Sequence, residues 1–221
     1  MKYYSVYGYS HFVLCLGYKK QVIKDFFLSY EAHTKDFTIL LGNKDVIEFH
    51  TDHDESGWKI TLADTGLNSM TGARVAKIKK YVGKEDFMLT YGDGVGDIEI
   101  DKLLTFHRSH GKALTVTGVR PPGRFGELVV EGQRVTAFNE KPQATDGRIS
   151  GGFFVASPRL FDYLNDDDGL VFEQEPMRKL VADKELMVYE HNTFWQPMDT
   201  SRDYKFLNEL YDKGKAPWVK W

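Results

Sequence analysis

The sequence contains a single cysteine, Cys15, among its 221 residues. An intrachain disulfide is therefore excluded, and the cysteine content gives no sign of an oxidising compartment. No apolar run approaches the roughly 20 residues that a membrane-spanning helix needs. The N-terminus also lacks the apolar core of a signal peptide. We therefore expect a cytoplasmic protein with no membrane partner.

Concentrated positive charge is also missing from the chain. Lysine and arginine number 29 against 32 aspartates and glutamates, and the formal net charge is −3. No basic cluster offers a footprint for nucleic acid. The seven histidines lack a metal-binding spacing such as His-x-x-x-His, and no serine stands in a nucleophile elbow. Nucleic-acid binding and covalent catalysis therefore have no candidate residues.

The first half of the chain alternates short apolar runs with helical patterns. Apolar runs predict strands at residues 12–16, 58–63, 87–90 and 114–119, and helical spacing predicts helices at 21–30, 73–82 and 101–110. The apolar face of the first helix consists of Val22, Ile23, Phe26 and Phe27, and Asp101 is the expected N-cap of the third. This order predicts an α/β fold with a Rossmann-like, mostly parallel sheet flanked by helices.

The pattern changes in the second half of the chain. A β-hairpin is predicted where the apolar segments 128–130 and 135–138 flank a polar, glycine-containing turn. A strand at 152–155 and helices at 158–164, 176–182 and 201–210 follow. We expect one domain over residues 1–221, with 205–221 as a C-terminal helix and tail.

Two aspartates are candidates for holding a metal ion. Asp93 follows the predicted strand at 87–90 between Gly92 and Gly94, at the strand end where open α/β sheets bind ligands. It suits a divalent metal that bridges phosphates, although glycine and aspartate also make tight turns. A calcium loop is disfavoured because the 1-3-5-12 ligand spacing is missing. Asp199 precedes a helix, where it is either an N-cap or a second ligand for Mg²⁺.

Glycines and a lysine offer contacts for a sugar or a phosphate. Lys141 would neutralise a phosphate as a point charge, or else form an exposed pair with Glu140. Gly151 and Gly152 begin a strand, where they permit a ligand to approach the backbone or mark a bulge.

Ser69 and Arg74 lie at the start of the helix predicted at 73–82. Amides at a helix start together with an arginine suit an anion, and a plain serine or threonine cap is the alternative. The phosphate-binding loop that usually follows the first strand of such sheets does not precede Phe12.

Taken in order, these segments resemble the glucose-1-phosphate cytidylyltransferases. Each motif is weak alone, whereas their order and spacing along the whole chain are specific. The Ser-Met-Thr-Gly motif at 69–72 and the Trp-Gln-Pro-Met-Asp-Thr motif at 195–200 favour this branch over thymidylyl and uridylyl enzymes. The matching motifs lie at residues 16–19, 64–66, 69–72, 90–95, 121–126, 140–142, 151–154, 173–176, 195–200 and 213–218.

The resemblance implies that CTP and glucose 1-phosphate give CDP-glucose and pyrophosphate by in-line attack, without a covalent enzyme intermediate. It implies Mg²⁺ held by Asp93 and Asp199, with Lys141 as a further catalytic residue on the sugar phosphate. It also implies a homo-oligomer, for which the tail with Trp218 and Trp221 suits an interface. The implied substrate-binding residues are Ser69, Arg74, Gly92, Gly126, Glu140, Gly152 and Glu173.

The sequence departs from this family at its N-terminus. Family members begin with a strand, a Gly-Gly-x-Gly-Thr-Arg loop and a Lys-Pro motif, which hold the triphosphate. None of these occurs here, so we expect an incomplete chain, without the first strand and phosphate loop, that is weakly active or inactive as given. Two alternatives stay open, a non-catalytic sugar-nucleotide-binding relic and a uridylyl or thymidylyl transferase.

Overall fold

The computed structural model describes residues 1–42, 46–51, 54–121, 127–131, 133–139 and 147–221. These residues form two compact units, each described below by itself. Unit 1 consists of residues 1, 9–83 and 164–176, and unit 2 consists of residues 2–8, 84–163 and 177–221.

The helices and strands follow one another along the chain in an α/β order. The helices are α1 (Lys2–Ser5), α2 (Lys20–Leu28), α3 (Tyr30–Thr34), α4 (Thr71–Lys77), α5 (Ile100–His110), α6 (Glu175–Ala182) and α7 (Ser201–Asp212). The strands are β1 (His11–Leu16), β2 (Phe37–Ile39), β3 (Ile47–Phe49), β4 (Lys59–Asp64), β5 (Phe87–Thr90), β6 (Gly94–Gly96), β7 (Leu114–Val119), β8 (Glu127–Glu131), β9 (Arg134–Asn139), β10 (Ile149–Ala156), β11 (Leu186–His191) and β12 (Trp195–Pro197). Short 3₁₀ helices cover Lys79–Tyr81 and Pro158–Tyr163.

Unit 1 contains two small sheets. Strands β1 and β4 pair in parallel, with Leu16 opposite Asp64 at their carboxyl ends. Strands β2 and β3 form an antiparallel pair. Because the ends of β1 and β4 lie side by side, the loops that follow them, at Gly17 and at Thr65, are brought to one edge of this sheet.

Helix α2 contains the predicted apolar face. Val22, Ile23, Phe26 and Phe27 all lie on this helix, although none of its residues is buried and Val22 is 61% exposed. The aromatic rings of α2 instead pack along the chain against α3, with the Phe26 and Tyr30 ring centroids 5.6 Å apart. The helix was therefore predicted correctly, and the ring contacts of its apolar face are with the next helix.

Unit 2 is built on a four-stranded sheet with the order β11-β7-β10-β5. Strand β11 is parallel to β7, whereas β10 is antiparallel to both β7 and β5. Helix α5 contacts β7, β10 and β11, and its Leu103 is 1% exposed. Burying such apolar side chains stabilises the unit by about 1.5–3 kcal/mol each.

The α/β class is confirmed, with mixed rather than mostly parallel sheets because β10 reverses the strand direction. The hairpin is confirmed as the antiparallel pair β8–β9.

The predicted N-cap of α5 is wrong, since the cap is Glu99 and Asp101 lies in the first turn. Ile98 and Ile100, on either side of the cap, are fully buried. The helix therefore begins two residues earlier in the sequence than predicted.

The C-terminal segment contacts other residues of the chain through Trp218 and Lys220. The ring of Trp218 stacks on Phe194 with centroids 5.5 Å apart, and the Lys220 ammonium reaches the Tyr7 hydroxyl at 2.9 Å. Trp221 is 51% exposed. Among the described residues, no helix has the length and apolarity to cross a membrane.

Candidate functional site

Asp93 and Asp199 lie at the end of one strand pair in unit 2. Strands β6 and β12 are antiparallel, with Gly94 opposite Pro197. One step further along the same pair, the backbone N–H of Met198 donates to the carbonyl oxygen of Asp93 over 2.7 Å. The two aspartates, which are 106 positions apart in sequence, are thereby brought to adjacent strand ends. Both are exposed to solvent.

The segment that carries Asp199 is fixed by the start of α7. Thr200 is the N-cap, and its hydroxyl accepts from the Asp203 backbone N–H at 3.2 Å. The Asp203 carboxylate in turn accepts from the Thr200 backbone N–H at 3.0 Å and from the buried Gln196 amide at 2.9 Å. Thr200 therefore caps the helix, and capping is not the function of the Asp199 carboxylate.

Gly152 lies beside the strand end that leads to Asp93. Its carbonyl oxygen accepts from the Tyr91 N–H at 3.0 Å, and its φ angle is 74°, in the left-handed region that favours glycine. The pairing of β10 with β7 shifts register between Ser150 and Phe154. The glycines therefore do mark a bulge, and bulges occur often next to active sites.

Asp97, the other aspartate of this segment, has structural partners. Its Oδ1 accepts from the Thr193 hydroxyl at 2.7 Å and lies 3.1 Å from His191 Nε2. These bonds hold the turn before β12 against the end of β6. Asp97 thus supports the strand pair on which Asp93 and Asp199 stand.

The described residues offer few carboxylates for a metal. No group of three histidine, cysteine, aspartate or glutamate side chains is suitably placed anywhere in the described ranges. Mg²⁺ commonly uses only one or two protein carboxylates, and phosphate oxygens and water complete its six ligands. The donor set of Asp93 and Asp199 fits Mg²⁺ bound together with a nucleotide, and it does not fit an all-protein metal cage.

In unit 1, Arg74 reaches the edge formed by the ends of β1 and β4. Its Nη1 donates to the Thr65 hydroxyl at 2.8 Å and to the Gly66 carbonyl at 3.1 Å. A Cβ at Gly17 would lie 2.5 Å from the guanidinium nitrogens, so a larger residue there would displace the arginine side chain. These hydrogen-bond partners are neutral oxygens that orient the guanidinium, and the Asp168 carboxylate also interacts electrostatically with it.

Ser69 is 5% exposed and its hydroxyl is crowded by polar partners. The Oγ lies 2.5 Å from the Thr65 carbonyl, 2.6 Å from Asp168 Oδ1 and 2.8 Å from Lys77 Nζ. Lys77 and Asp168 also form an ion pair with each other. The Lys77 ammonium and, to a smaller extent, the Ser69 hydroxyl lower the pKa of the Asp168 carboxyl below its ordinary value.

The segment from residue 164 to 176 covers the start of α4. The N–H groups of Gly72 and Ala73 donate to the Leu170 carbonyl at 2.9 and 3.2 Å. These two amides at the start of α4, which we considered as anion ligands from the sequence, are therefore already hydrogen-bonded to a backbone carbonyl. Glu173 belongs to the same segment, and its carboxylate accepts from the Thr71 hydroxyl at 2.9 Å.

The structure thus groups the predicted residues by unit. Ser69, Arg74 and Glu173 lie around α4 in unit 1. Unit 2 contains Gly92, Asp93, Gly152 and Asp199. The last three, Gly126, Glu140 and Lys141, fall outside the described residues.

Sequence reasoning did not single out Lys77, Asp168 or Trp195. The run of three aspartates at 166–168 was a visible signal for Asp168, and the 195–200 motif already contained Trp195. Lys77 gave no signal, because it looks like any lysine on an exposed helix face.

The family model of the nucleotidyl transferases matches residues 20–212. Glucose-1-phosphate cytidylyltransferase from Salmonella typhi is 46% identical over 222 residues, which cover 100% of this chain and 85% of that protein. The chain belongs to the nucleotidyl transferase family, in its glucose-1-phosphate cytidylyltransferase branch. The probable glucose-1-phosphate cytidylyltransferase from Bacillus subtilis is 40% identical over 221 residues, again 100% of this chain and 85% of that protein.

One solved structure has a fold similar to that of this chain. The crystal structure of HddC from Yersinia pseudotuberculosis superposes with a TM-score of 0.62 at 18% sequence identity, covering 96% of this chain and 83% of that one. At this identity the likeness concerns the fold, and it agrees with the α/β arrangement described above.

Proposed function

We propose that the protein transfers a cytidylyl group from CTP to glucose 1-phosphate, which gives CDP-glucose and pyrophosphate. The observation that carries the proposal is the meeting of Asp93 and Asp199 at the end of the β6–β12 pair. A binding module has little need for two exposed carboxylates at one strand end. An enzyme that moves a nucleotidyl group needs them for its metal ion.

The reaction needs positioning and charge neutralisation more than covalent chemistry. A phosphate oxygen of the sugar phosphate attacks the α-phosphorus of CTP while the bond to the β-phosphate oxygen breaks, and pyrophosphate leaves with that electron pair. Asp93 and Asp199 would hold Mg²⁺. When bound, the ion neutralises charge that develops on the phosphate oxygens.

Arg74 is the residue that we assign to the nucleotide. Its guanidinium is oriented by hydrogen bonds to neutral oxygens, and an oriented guanidinium suits a phosphate. Ser69 is buried against Thr65 and Asp168, and we assign it the shaping of the 65–69 loop beneath that arginine. For both residues the support is local geometry in unit 1.

A different set of residues is assigned to glucose 1-phosphate. Lys141 would neutralise its phosphate, with Gly126 and Glu140 lining the same place. The Gly152 amide is assigned to the sugar phosphate because it lies in a bulge beside the Asp93 strand end. Glu173 is assigned to a sugar hydroxyl.

The test is a pyrophosphate-release assay with glucose 1-phosphate and Mg²⁺, run with CTP, UTP, dTTP and GTP in parallel. It uses the 221-residue chain and the same chain extended by the reading frame upstream of its Met1 codon. We expect release with CTP and a product that co-elutes with CDP-glucose. Release with UTP or dTTP but not CTP would reassign the base. A folded protein that releases no pyrophosphate with any nucleotide in either form would refute the enzyme and favour a binding protein.

A further inference from the structure

The bulge in β10 takes the carbonyl of Gly151 out of the strand pairing. On the β7 side the described register jumps from Ser150 to Phe154, and on the β5 side it begins at Phe153. Gly151 is nevertheless buried. A buried carbonyl without a partner costs free energy, so this oxygen needs a donor from elsewhere.

The donor is the indole of Trp195. Its Nε1–H donates to the Gly151 carbonyl oxygen over 2.8 Å, and this bond takes the place of the missing strand bond. Trp195 is the first residue of β12, opposite Gly96. The same indole therefore belongs to the strand pair that ends at Asp93 and Asp199.

The indole of Trp195 lies against three glycines. A Cβ at Gly94 would lie 3.5 Å from Trp195 Nε1, and a Cβ at Gly151 would lie 3.4 Å from it. A Cβ at Gly96 would lie 3.4 Å from the indole Cδ1. Gly94, Gly96 and Gly151 thus all border the indole, which connects the 94–96 strand to the bulge at 151–152.

The indole bond sets the direction of the next amide. The Gly151 carbonyl and the Gly152 N–H belong to one planar peptide unit and point in opposite directions. Fixing the carbonyl therefore fixes the N–H. That N–H has a long bond of 3.3 Å to the Ser150 hydroxyl, which a better acceptor such as a sugar-phosphate oxygen can replace.

We propose that Trp195 is a positioning residue for the transfer. Its indole orients the Gly151–Gly152 peptide so that the Gly152 amide meets glucose 1-phosphate, and it ties that amide to the strand pair of Asp93 and Asp199. The proposal rests on the proposed function, in that it names the sugar phosphate as the ligand of Gly152. Trp195 itself touches no substrate in this assignment.

The first test is Trp195→Phe, which keeps an aromatic ring and removes the donor. Because the freed peptide no longer presents its amide, we expect KM for glucose 1-phosphate to rise about 10-fold, as for a lost buried hydrogen bond. KM for CTP should stay within about twofold, because losing a hydrogen bond to glucose 1-phosphate does not weaken the binding of CTP. The matched control is Trp221→Phe, at an exposed tail position, and it should change neither constant. Equal KM values for glucose 1-phosphate in both variants would overturn the proposal.

The second test follows the indole itself and does not need turnover. The chain has four tryptophans, so ¹⁵N–¹H spectra show four indole signals. Single Trp→Phe changes at positions 58, 218 and 221 assign the Trp195 signal by elimination even where Trp195→Phe fails to fold. We expect the Trp195 signal to shift on titration with glucose 1-phosphate in the presence of Mg²⁺, more than the other three.

The two proposals fail in different ways. A wild-type protein that releases no pyrophosphate with any nucleotide contradicts the proposed function, and the titration still decides the role of Trp195. A Trp195 signal that does not move at saturating glucose 1-phosphate contradicts the positioning role, whatever the turnover.

Discussion

The backbone N–H of Met198 donates to the carbonyl oxygen of Asp93 over 2.7 Å. This bond extends the β6–β12 pair by one step and brings the residue before Asp199 against Asp93. The backbone positions of the two aspartates are therefore set by strand pairing, which varies less than the conformation of a loop. A metal bound there would need only the two side chains to orient.

The first prediction concerns these two carboxylates. Asp93→Asn and Asp199→Asn each remove one negative ligand, and we expect Mg²⁺-dependent pyrophosphate release to fall by a factor of at least about 100. Calorimetric titration with Mn²⁺ and CTP should show weaker metal binding in both variants. The thermal midpoint should change little, because both side chains are exposed.

Asp212→Asn is the matched control for charge. Asp212 is exposed at the last position of α7, and its substitution should leave both turnover and Mn²⁺ binding unchanged. If Asp93→Asn or Asp199→Asn behaved like Asp212→Asn, the metal assignment would be wrong.

The second prediction concerns acid stability in unit 1. The Lys77 ammonium lowers the pKa of the Asp168 carboxyl, so its stabilisation is fully present above the unfolded pKa of about 4 and is lost as the pH falls through the folded pKa. We expect Asp168→Asn to be less stable than the wild type at pH 7. The difference should shrink as the pH falls below about 4.

Urea unfolding at pH 7, 5 and 3.5 measures this difference. Asp166→Asn is the control, since Asp166 is an exposed neighbour in the same acidic run. A stability difference for Asp168→Asn that stays constant over the whole range would show that the ion pair with Lys77 does not contribute.

The strands of the sheets could be predicted from the sequence because burial leaves a local pattern. The apolar runs at 12–16, 87–90 and 114–119 agree with β1, β5 and β7 within one residue. Strands β6 and β12 were missed because three residues, two of them glycine in β6, are too short to show a period. Their existence depends on pairing across about a hundred residues, which no local window reveals.

The candidate site shows the same division between local and distant information. Asp93 could be chosen from its place after a strand and between glycines, and Asp199 from its place before a helix. That the two meet, and that Thr200 rather than Asp199 caps α7, follows only from the fold. The Lys77–Asp168 pair spans 91 positions, and surface lysines carry no sequence signal for a distant partner.

The third prediction concerns a buried histidine in unit 2. His107 is 2% exposed, with Nδ1 2.8 Å from the Thr115 hydroxyl. Burial lowers the pKa of His107, and the nearby Asp86 only partly opposes this. The unfolded chain therefore takes up the proton first, so stability is full above about pH 6.5 and is lost as the pH falls below it.

We expect the free energy of unfolding to fall between pH 7 and 5 by up to about 1.4 kcal/mol per pH unit for this proton. His107→Gln should flatten the slope, whereas His11→Gln, at an exposed position of β1, should not. Urea unfolding at half-unit pH steps provides the slopes. Parallel slopes for the wild type and His107→Gln would contradict the prediction.

The fourth prediction separates a structural glycine from a ligand-facing one. Gly152 has φ 74°, and a Cβ there would lie 3.3 Å from the Tyr91 ring. We expect Gly152→Ala to destabilise the protein by about 1–2 kcal/mol, the cost of a side chain in the left-handed region. Gly92 has no positive φ, and a Cβ there would meet no atom of the described residues within 4 Å.

Gly92→Ala should therefore unfold at the wild-type temperature, and thermal melts of the two alanine variants test this contrast. The room beside Gly92 is where a ligand at the Asp93 strand end would approach. We accordingly expect Gly92→Ala to lose pyrophosphate release while its stability is preserved, because an added methyl group blocks the ligand and not the fold. Full activity in Gly92→Ala would mean that the ligand approaches Asp93 from another side, and Gly92 would then serve only the turn.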